Sequence, residues 1–157
     1  MLIQFLSYLS VEKIYFWANF AVLPFWLMLI FIPRSKITQV FINSIILPAI
    51  FATIYVYLVY QAYIEEISFI EFFNLYLSLD NLYTLLSNEI FLLIFWLHFI
   101  MLNLFLGSWA SNEAIKNNMP RPLILISLVL IYLTGPIGLV FFWFIRIFYA
   151  KKIKLYD

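Results

Sequence analysis

Four long apolar stretches, each bounded by charged residues, constrain the fold of this 157-residue chain more than any other feature. No charged residue occurs in residues 14–33, 37–64, 90–112 and 122–145. A hydrocarbon core about 30 Å thick requires about 20 residues of helix, because each residue adds about 1.5 Å. All four stretches reach that length. The sequence therefore predicts an all-α integral membrane protein.

We expect one membrane domain over residues 1–157, a bundle of about four transmembrane helices. The predicted spans cover about residues 14–33, 39–63, 90–111 and 123–148. The segment from Glu65 to Glu89 differs in kind, because it carries five acidic residues and no Lys or Arg among its apolar side chains. This composition predicts an interfacial acidic segment between the second and third spans. The sequence Gly135-Pro136-Ile137-Gly138 breaks the fourth span.

Composition excludes several classes of function. The chain is 66% hydrophobic and 11% charged, whereas a soluble domain is about 25% charged. A net charge of +1 argues against a nucleic-acid partner. The absence of cysteine excludes disulfides and thiolate metal sites, and a single histidine argues against a His-rich metal site. We therefore expect no metal and no cofactor, and membrane lipid as the main partner.

The first residues of the chain suggest which membrane holds the protein, and the distribution of basic residues concerns its orientation there. Residues 1–11 lack the basic start and cleavage site of a signal peptide, and also the Arg- and Ser-rich character of a transit peptide. A chain that begins this close to its first span predicts a bacterial inner (plasma) membrane protein or one encoded inside an organelle. With four spans, five basic residues share the side of the termini and four lie opposite. This split decides no orientation, although the lysine-rich tail favours cytoplasmic termini.

His98 is the one ionisable side chain predicted at membrane depth. A histidine there can donate or accept a proton or orient a ligand, which makes it a catalytic candidate. The alternative is a neutral imidazole that hydrogen-bonds a neighbouring helix. Asn103 lies about 140° away around the same helix. With Gly107 and Ala110 it forms a small-residue stripe, which favours a packing role for Asn103.

Polar residues in the first and second spans indicate function less specifically. Asn19 lies in the first span, and Tyr57 lies on a polar stripe of the second span with Thr53 and Gln61. No nucleotide-binding, hydrolase or paired-carboxylate signature is present. Aromatic residues make up 22% of the chain. They predict either ordinary packing or a wall for a flat polyene ligand.

Several sequence blocks together resemble a known family. They are His98-Phe-Ile-Met-Leu-Asn103-Leu-Phe-Leu-Gly107, Trp109, Glu113, Asn117-Asn118-Met119-Pro120-Arg121, Leu133-Thr134-Gly135-Pro136-Ile137-Gly138-Leu139 and Arg146. In this order they resemble the abscisic-acid-deficient-4-like family of small four-span membrane proteins. The runs Ala21–Trp26 and Tyr55–Tyr60 are similar to the first and second spans of that family. The resemblance extends over about residues 16–146.

The resemblance implies carotenoid chemistry, because plant chloroplast members are required for converting violaxanthin to neoxanthin. Such an epoxide-to-allene isomerisation needs a proton delivered to the epoxide oxygen and a base at the neighbouring carbon. His98 and Glu113 match the family in type and are the catalytic candidates. The family pattern has an aspartate where this chain has Asn103, and an asparagine cannot act as a general acid or base. The candidates for substrate binding are Asn103, Trp109, Asn19, Tyr57, Gly135 and Pro136.

Three hypotheses follow. The first is an integral membrane protein of carotenoid or isoprenoid metabolism, either a carotenoid-modifying, epoxide isomerase-like enzyme or an auxiliary factor. The second is a non-catalytic membrane scaffold that binds a carotenoid or a partner membrane protein. The third, a small transporter, lacks an ionisable relay and an internal repeat, and would have to form a homo-oligomer to build a pore. Whether the protein is an enzyme stays open from the sequence.

Overall fold

The computed structural model describes residues 10–42, 46–64 and 69–150, and every regular element within them is α-helical. The predicted all-α class is confirmed. The helices are α1 (Val11–Phe31), α2 (Lys36–Phe41), α3 (Ile46–Ile64), α4 (Phe69–Asn74), α5 (Leu79–Leu86), α6 (Glu89–Lys116), α7 (Arg121–Thr134) and α8 (Pro136–Ala150).

Within the described ranges, α1 and α6 are long and apolar enough to cross a membrane. They contain 21 and 28 residues. The other apolar helices are shorter, with 19 residues in α3, 14 in α7 and 15 in α8. A bundle with four membrane spans therefore stays a prediction.

Residue contacts divide the chain into two compact units. The first unit comprises Met1–Ala21 and Pro48–Phe99, and the second comprises Val22–Leu47 and Ile100–Asp157. Both α1 and α6 contribute residues to each unit.

In the first unit, the beginnings of α1 and α6 lie side by side and run in the same direction. Trp96 Nε1 donates a hydrogen bond of 3.1 Å to Asn19 Oδ1, and the rings of Tyr15 and Trp96 lie 6.0 Å apart. The core of this unit also takes buried residues from α3, among them Leu58 and Ala62.

The helix α1 is apolar on both its buried and its exposed face. Its buried residues recur every three or four positions, as a helix face requires, and are Ile14, Ala18, Val22, Trp26 and Leu29. The opposite face carries Phe16, Trp17 and Phe20, and Trp17 is 61% exposed. An exposed aromatic face of this kind is typical of a helix surrounded by lipid rather than water.

The helix α6 ends in a Schellman motif, in which the backbone turns left-handed after the last helical turn. Asn118 has φ of 51°, and Met119 N donates to Ala114 O at 3.0 Å. Asparagine tolerates this conformation better than most residues. The chain then passes through Pro120 and begins α7 at Arg121.

The stretch predicted as one interrupted fourth span, 123–148, forms two helices that fold back on one another in the second unit. Gly135 has φ of 59°, a value that glycine adopts readily. Pro136 cannot donate the backbone hydrogen bond that would continue α7. A Cβ atom at Gly138 would collide with the backbone nitrogen of Ile131, so the absence of a side chain at this position permits close contact between α7 and α8. At about 1.5 Å per residue, these helices are about 21 and 22 Å long.

The acidic segment contains the short helices α4 and α5. The side chain of Ser78 accepts a hydrogen bond from Asn81 N at 3.1 Å and caps α5. Large apolar side chains of this segment are exposed, namely Ile70, Phe73, Tyr76, Leu77, Leu79 and Tyr83. Its residues 65–68 lie outside the described ranges, and its predicted interfacial position stays a prediction.

Candidate functional site

A buried ion pair joins α6 to α8 in the second unit. Arg146 donates to Glu113 Oε1 through Nε at 3.0 Å and through Nη2 at 2.8 Å. The side chain of Arg146 is 3% exposed and that of Glu113 is 13% exposed. Asn117 Nδ2 donates to the same carboxylate oxygen at 3.1 Å. The carboxylate of Glu113 therefore holds a neighbouring helix in place.

Two further contacts show that α8 follows α6 in the same direction. Near the start of α8, Gly135 approaches Asn103 so closely that a Cβ atom there would lie 2.5 Å from Asn103 Oδ1. Farther along, the rings of Trp109 and Phe142 meet edge to face at 5.5 Å. These contacts and the ion pair all join residues 32 or 33 positions apart in the sequence. The α7–α8 hairpin thus turns beside Asn103 and returns toward the end of α6.

Asn103 has an unusual environment. Its side chain is 5% exposed, and its Nδ2 atom has no hydrogen-bond partner among the described residues. A buried amide group without a partner loses the hydrogen bonds that water would supply. Asn103 therefore has an unused donor beside Gly135, where α7 and α8 meet.

Two aromatic rings of the second unit pack near Gly107, which lies one turn farther along α6 than Asn103. The ring of Trp26 lies against Gly107, where a Cβ atom would meet ring carbons at 2.6 and 2.7 Å. Trp26 also meets Tyr132 edge to face, with ring centroids 5.3 Å apart. The small-residue stripe predicted on the third span thus accommodates an indole ring of α1 at Gly107.

His98 belongs to the first unit and its side chain is exposed. Its ring centroid lies 6.4 Å from that of Tyr55 on α3, at an interplanar angle of 53°. Tyr57, two residues along α3, is half-buried. An exposed imidazole on an apolar helix is accessible to a molecule that approaches from outside the unit.

Both polar atoms of the Asn19 side chain form hydrogen bonds within the first unit. Its Nδ2 donates to Tyr15 O at 2.7 Å, and its Oδ1 accepts from Trp96. A cleft of about 440 Å³ lies next to this contact, and its lining includes Tyr15 and Trp96. Two exposed carboxylates, Glu12 and Glu89, also line the cleft.

The structure thus assembles only part of the predicted site. Asn103, Gly135 and the exposed Pro136 lie at one helix junction, whereas the predicted catalytic residues His98 and Glu113 belong to different units. Their catalytic role stays a prediction, as does the substrate-binding role of the other candidates. Within the described ranges, no group of three or more His, Cys, Asp or Glu side chains could hold a metal ion.

Sequence reasoning missed Arg146 as the partner of Glu113. One signal was available in the sequence. Asn103 and Gly135 are separated by nearly the same number of residues as Glu113 and Arg146, as expected for two helices that run side by side in the same direction. Sequence reasoning also missed Glu12, which lines the same cleft as Glu89 because α1 and α6 lie side by side in the first unit.

The described fold is that of an all-helical protein with two helices of membrane-spanning length. Residues 13–142 match a family model described as ABA DEFICIENT 4-like, and the chain therefore belongs to this family. The chain is 28% identical over 101 residues to the protein ABA DEFICIENT 4, chloroplastic, of Arabidopsis thaliana. That alignment covers 63% of this chain and 46% of the plant protein.

The chain therefore spans about half the length of this curated relative. The family resemblance inferred from the sequence is confirmed. Because the relative is a plant chloroplast protein, it gives no support to the predicted bacterial membrane. No solved structure matches the chain.

Proposed function

We propose that the protein is a multi-pass membrane protein that binds a carotenoid or related isoprenoid and acts in the metabolism of that lipid. The observation that carries this proposal is the exposed imidazole of His98 beside Tyr55 on a helix of membrane-spanning length. An ionisable group facing outward from an apolar helix is costly in lipid, so its presence there favours a functional role. A substrate dissolved in the bilayer could exchange a proton with this imidazole directly.

Apolar exposed surface supports the membrane location. Outside the buried face of α1, Phe16 and Trp17 are about 60% exposed, and Phe105 on α6 is 64% exposed. Large exposed aromatic surfaces of this extent are rare in soluble monomers. Membership of the family supports the carotenoid or isoprenoid ligand, through the resemblance of the His98–Gly107 block.

The proposed topology has three crossings, by α1, α3 and α6, followed by a re-entrant hairpin of α7 and α8. Support comes from the lengths of α7 and α8 and from the ion pair that joins the end of α8 to the end of α6. Re-entrant helices are tolerated at membrane depth where they are covered by protein.

This topology gathers positive charge on one side. Eight of the nine Lys and Arg residues then share the side where α6 ends, and Lys13 lies opposite. They are Arg34, Lys36, Lys116, Arg121, Arg146, Lys151, Lys152 and Lys154. The positive-inside rule then directs this side toward the cytoplasm or its organellar equivalent, with the amino terminus opposite.

Pigment analysis tests the proposal. The wild type, His98→Gln and the matched control Phe105→Leu would be expressed in cells that make defined carotenoids. We expect the wild type and the control to change the pigment profile and His98→Gln to leave it unchanged. If no carotenoid is converted and none co-purifies with any of the three proteins, the proposal fails.

A non-catalytic carotenoid-binding scaffold is the second candidate. The observation that favours it is the involvement of the Glu113 carboxylate with Arg146 and Asn117, which leaves His98 without a second predicted catalytic group. Pigments that remain unchanged but co-purify equally with wild type and His98→Gln would support the scaffold over the enzyme.

A further inference from the structure

A cleft in the second unit opens between the ends of α1 and α6 and the beginning of α7. Its volume is about 530 Å³. Apolar side chains form most of its wall, including Leu29, Phe31, Ile115 and Leu128. Such a lining suits a hydrocarbon chain, because apolar side chains contact methylene groups through van der Waals packing and leave no polar group unpaired.

Among the described residues that line this apolar cleft, Arg121 is the charged one and none is acidic. Arg121 is the first residue of α7 and is exposed. The hydroxyl-bearing Ser111 of α6 also contributes to the lining. The cleft is therefore amphipathic, with an apolar wall and a guanidinium group that can donate to an anionic oxygen.

The surroundings of the cleft are positively charged. Among the described residues of the second unit, Glu113 is the single acidic one. Its carboxylate forms an ion pair with Arg146. The other charged residues described there are Arg34, Lys36, Lys116 and Arg121, all basic. They fall where α1 and α6 end and where α7 begins, so they belong to the same end of the unit as the cleft.

The turn after α1 is held in a defined position at this end. Thr38 is fully buried, and its Oγ1 donates to Ile32 O at 2.8 Å. Ser35 caps α2 by accepting from Ile37 N at 3.3 Å. Pro33 of this turn lines the cleft, and Arg34 follows it directly.

We propose that this cleft binds an acidic phospholipid, with an acyl chain against the apolar wall and the phosphate against Arg121. This inference rests on the proposed membrane location. Charge complementarity selects the ligand, because basic pockets between membrane helices bind anionic lipid head groups. A carotenoid, which has no anionic group, would not use Arg121. The described residues that line this cleft differ from His98 and Tyr55 of the proposed carotenoid site.

Lipid titration of the intact chain tests the proposal. The protein would be purified in a neutral detergent and titrated with phosphatidylglycerol or phosphatidylcholine, with bound lipid counted by native mass spectrometry. We expect phosphatidylglycerol to be preferred and inorganic phosphate not to compete. Arg121→Gln should weaken binding about fivefold, the effect of removing one basic residue near an acidic lipid. The matched control Lys13→Gln, at the opposite end of α1, should bind like the wild type.

A second variant tests the cleft itself. Leu125 lines the cleft and is exposed, so Leu125→Trp fills space without disturbing the core. It should reduce binding while the melting temperature in detergent is retained. Equal binding of both lipids, or wild-type binding by Arg121→Gln and Leu125→Trp, would overturn the proposal. These measurements need no pigment, so their failure is distinguishable from failure of the proposed function.

Discussion

Glu113 and Arg146 are 33 positions apart in the sequence and are joined by hydrogen bonds of 2.8 and 3.0 Å. This pair fixes where α8 ends relative to α6 in the second unit. The arginine is almost fully buried, and the Glu113 carboxylate accepts both of the hydrogen bonds described.

Removing one partner of the ion pair should destabilise the protein. We expect Glu113→Gln to lower the free energy of unfolding by about 3 kcal/mol, because it removes the carboxylate that pairs with the buried guanidinium. Thermal or denaturant unfolding in detergent measures this effect. Glu12→Gln, which neutralises an exposed carboxylate, should change stability by less than about 0.5 kcal/mol.

The double variant Glu113→Gln/Arg146→Met should lose less stability than the two single changes together, because no buried charge is left unpaired. Additive losses would show that the two side chains do not interact energetically.

Adding a methyl group at Gly138 or at Gly107 compares a close contact with the backbone and a close contact with a side chain. Gly138→Ala places a Cβ atom against the backbone of Ile131, which cannot move without opening the α7–α8 hairpin. Gly107→Ala instead meets the ring of Trp26. We expect Gly107→Ala to cost about 1–3 kcal/mol, as overpacking usually does, and Gly138→Ala to cost more. Melting temperatures in detergent would rank the two.

The cost of Gly107→Ala should also depend on the indole. In a Trp26→Phe background the six-membered indole ring that supplies both contact atoms is gone, so the added methyl group should cost less than in the wild type. An unchanged cost in the two backgrounds would be inconsistent with the contact.

Replacing Asn103 should show whether its side-chain amide contributes to the stability of the fold. Leucine has the same branched shape as asparagine but no polar atoms, so Asn103→Leu removes a buried donor that has no partner. We expect stability to stay within about 0.5 kcal/mol of the wild type or to rise, since the amide makes no hydrogen bond through Nδ2. Unfolding in detergent measures this. A loss above about 2 kcal/mol would mean that the amide is satisfied in the folded protein.

Single cysteines should report the proposed topology, because the chain contains no native cysteine. We expect Gln39→Cys and Lys152→Cys to be labelled by a membrane-impermeant thiol reagent from one side, and Asp80→Cys from the other. The physical reason is that α8 returns toward the end of α6. Labelling of position 152 together with position 80 would instead mean that the fourth apolar stretch crosses the membrane.

Parts of the fold follow from local sequence rules. Long apolar runs form helices in lipid because only internal hydrogen bonds satisfy the backbone there. The break at Gly135-Pro136 follows from glycine's access to positive φ and proline's missing donor. His98 and Asn103 were recognisable as polar exceptions, but their neighbours Tyr55 and Gly135 depend on helix packing.

The sequence by itself determined that this chain is helical, apolar and broken after Thr134, because these properties depend on residues close together in the chain. The tertiary structure decided the direction in which the chain continues after the break. The absence of a side chain at Gly138 lets α8 pack against α7, and the Glu113–Arg146 pair then holds α8 alongside α6. That direction decides which charges share an end of the second unit, since the position of a charge depends on contacts between residues distant in the sequence.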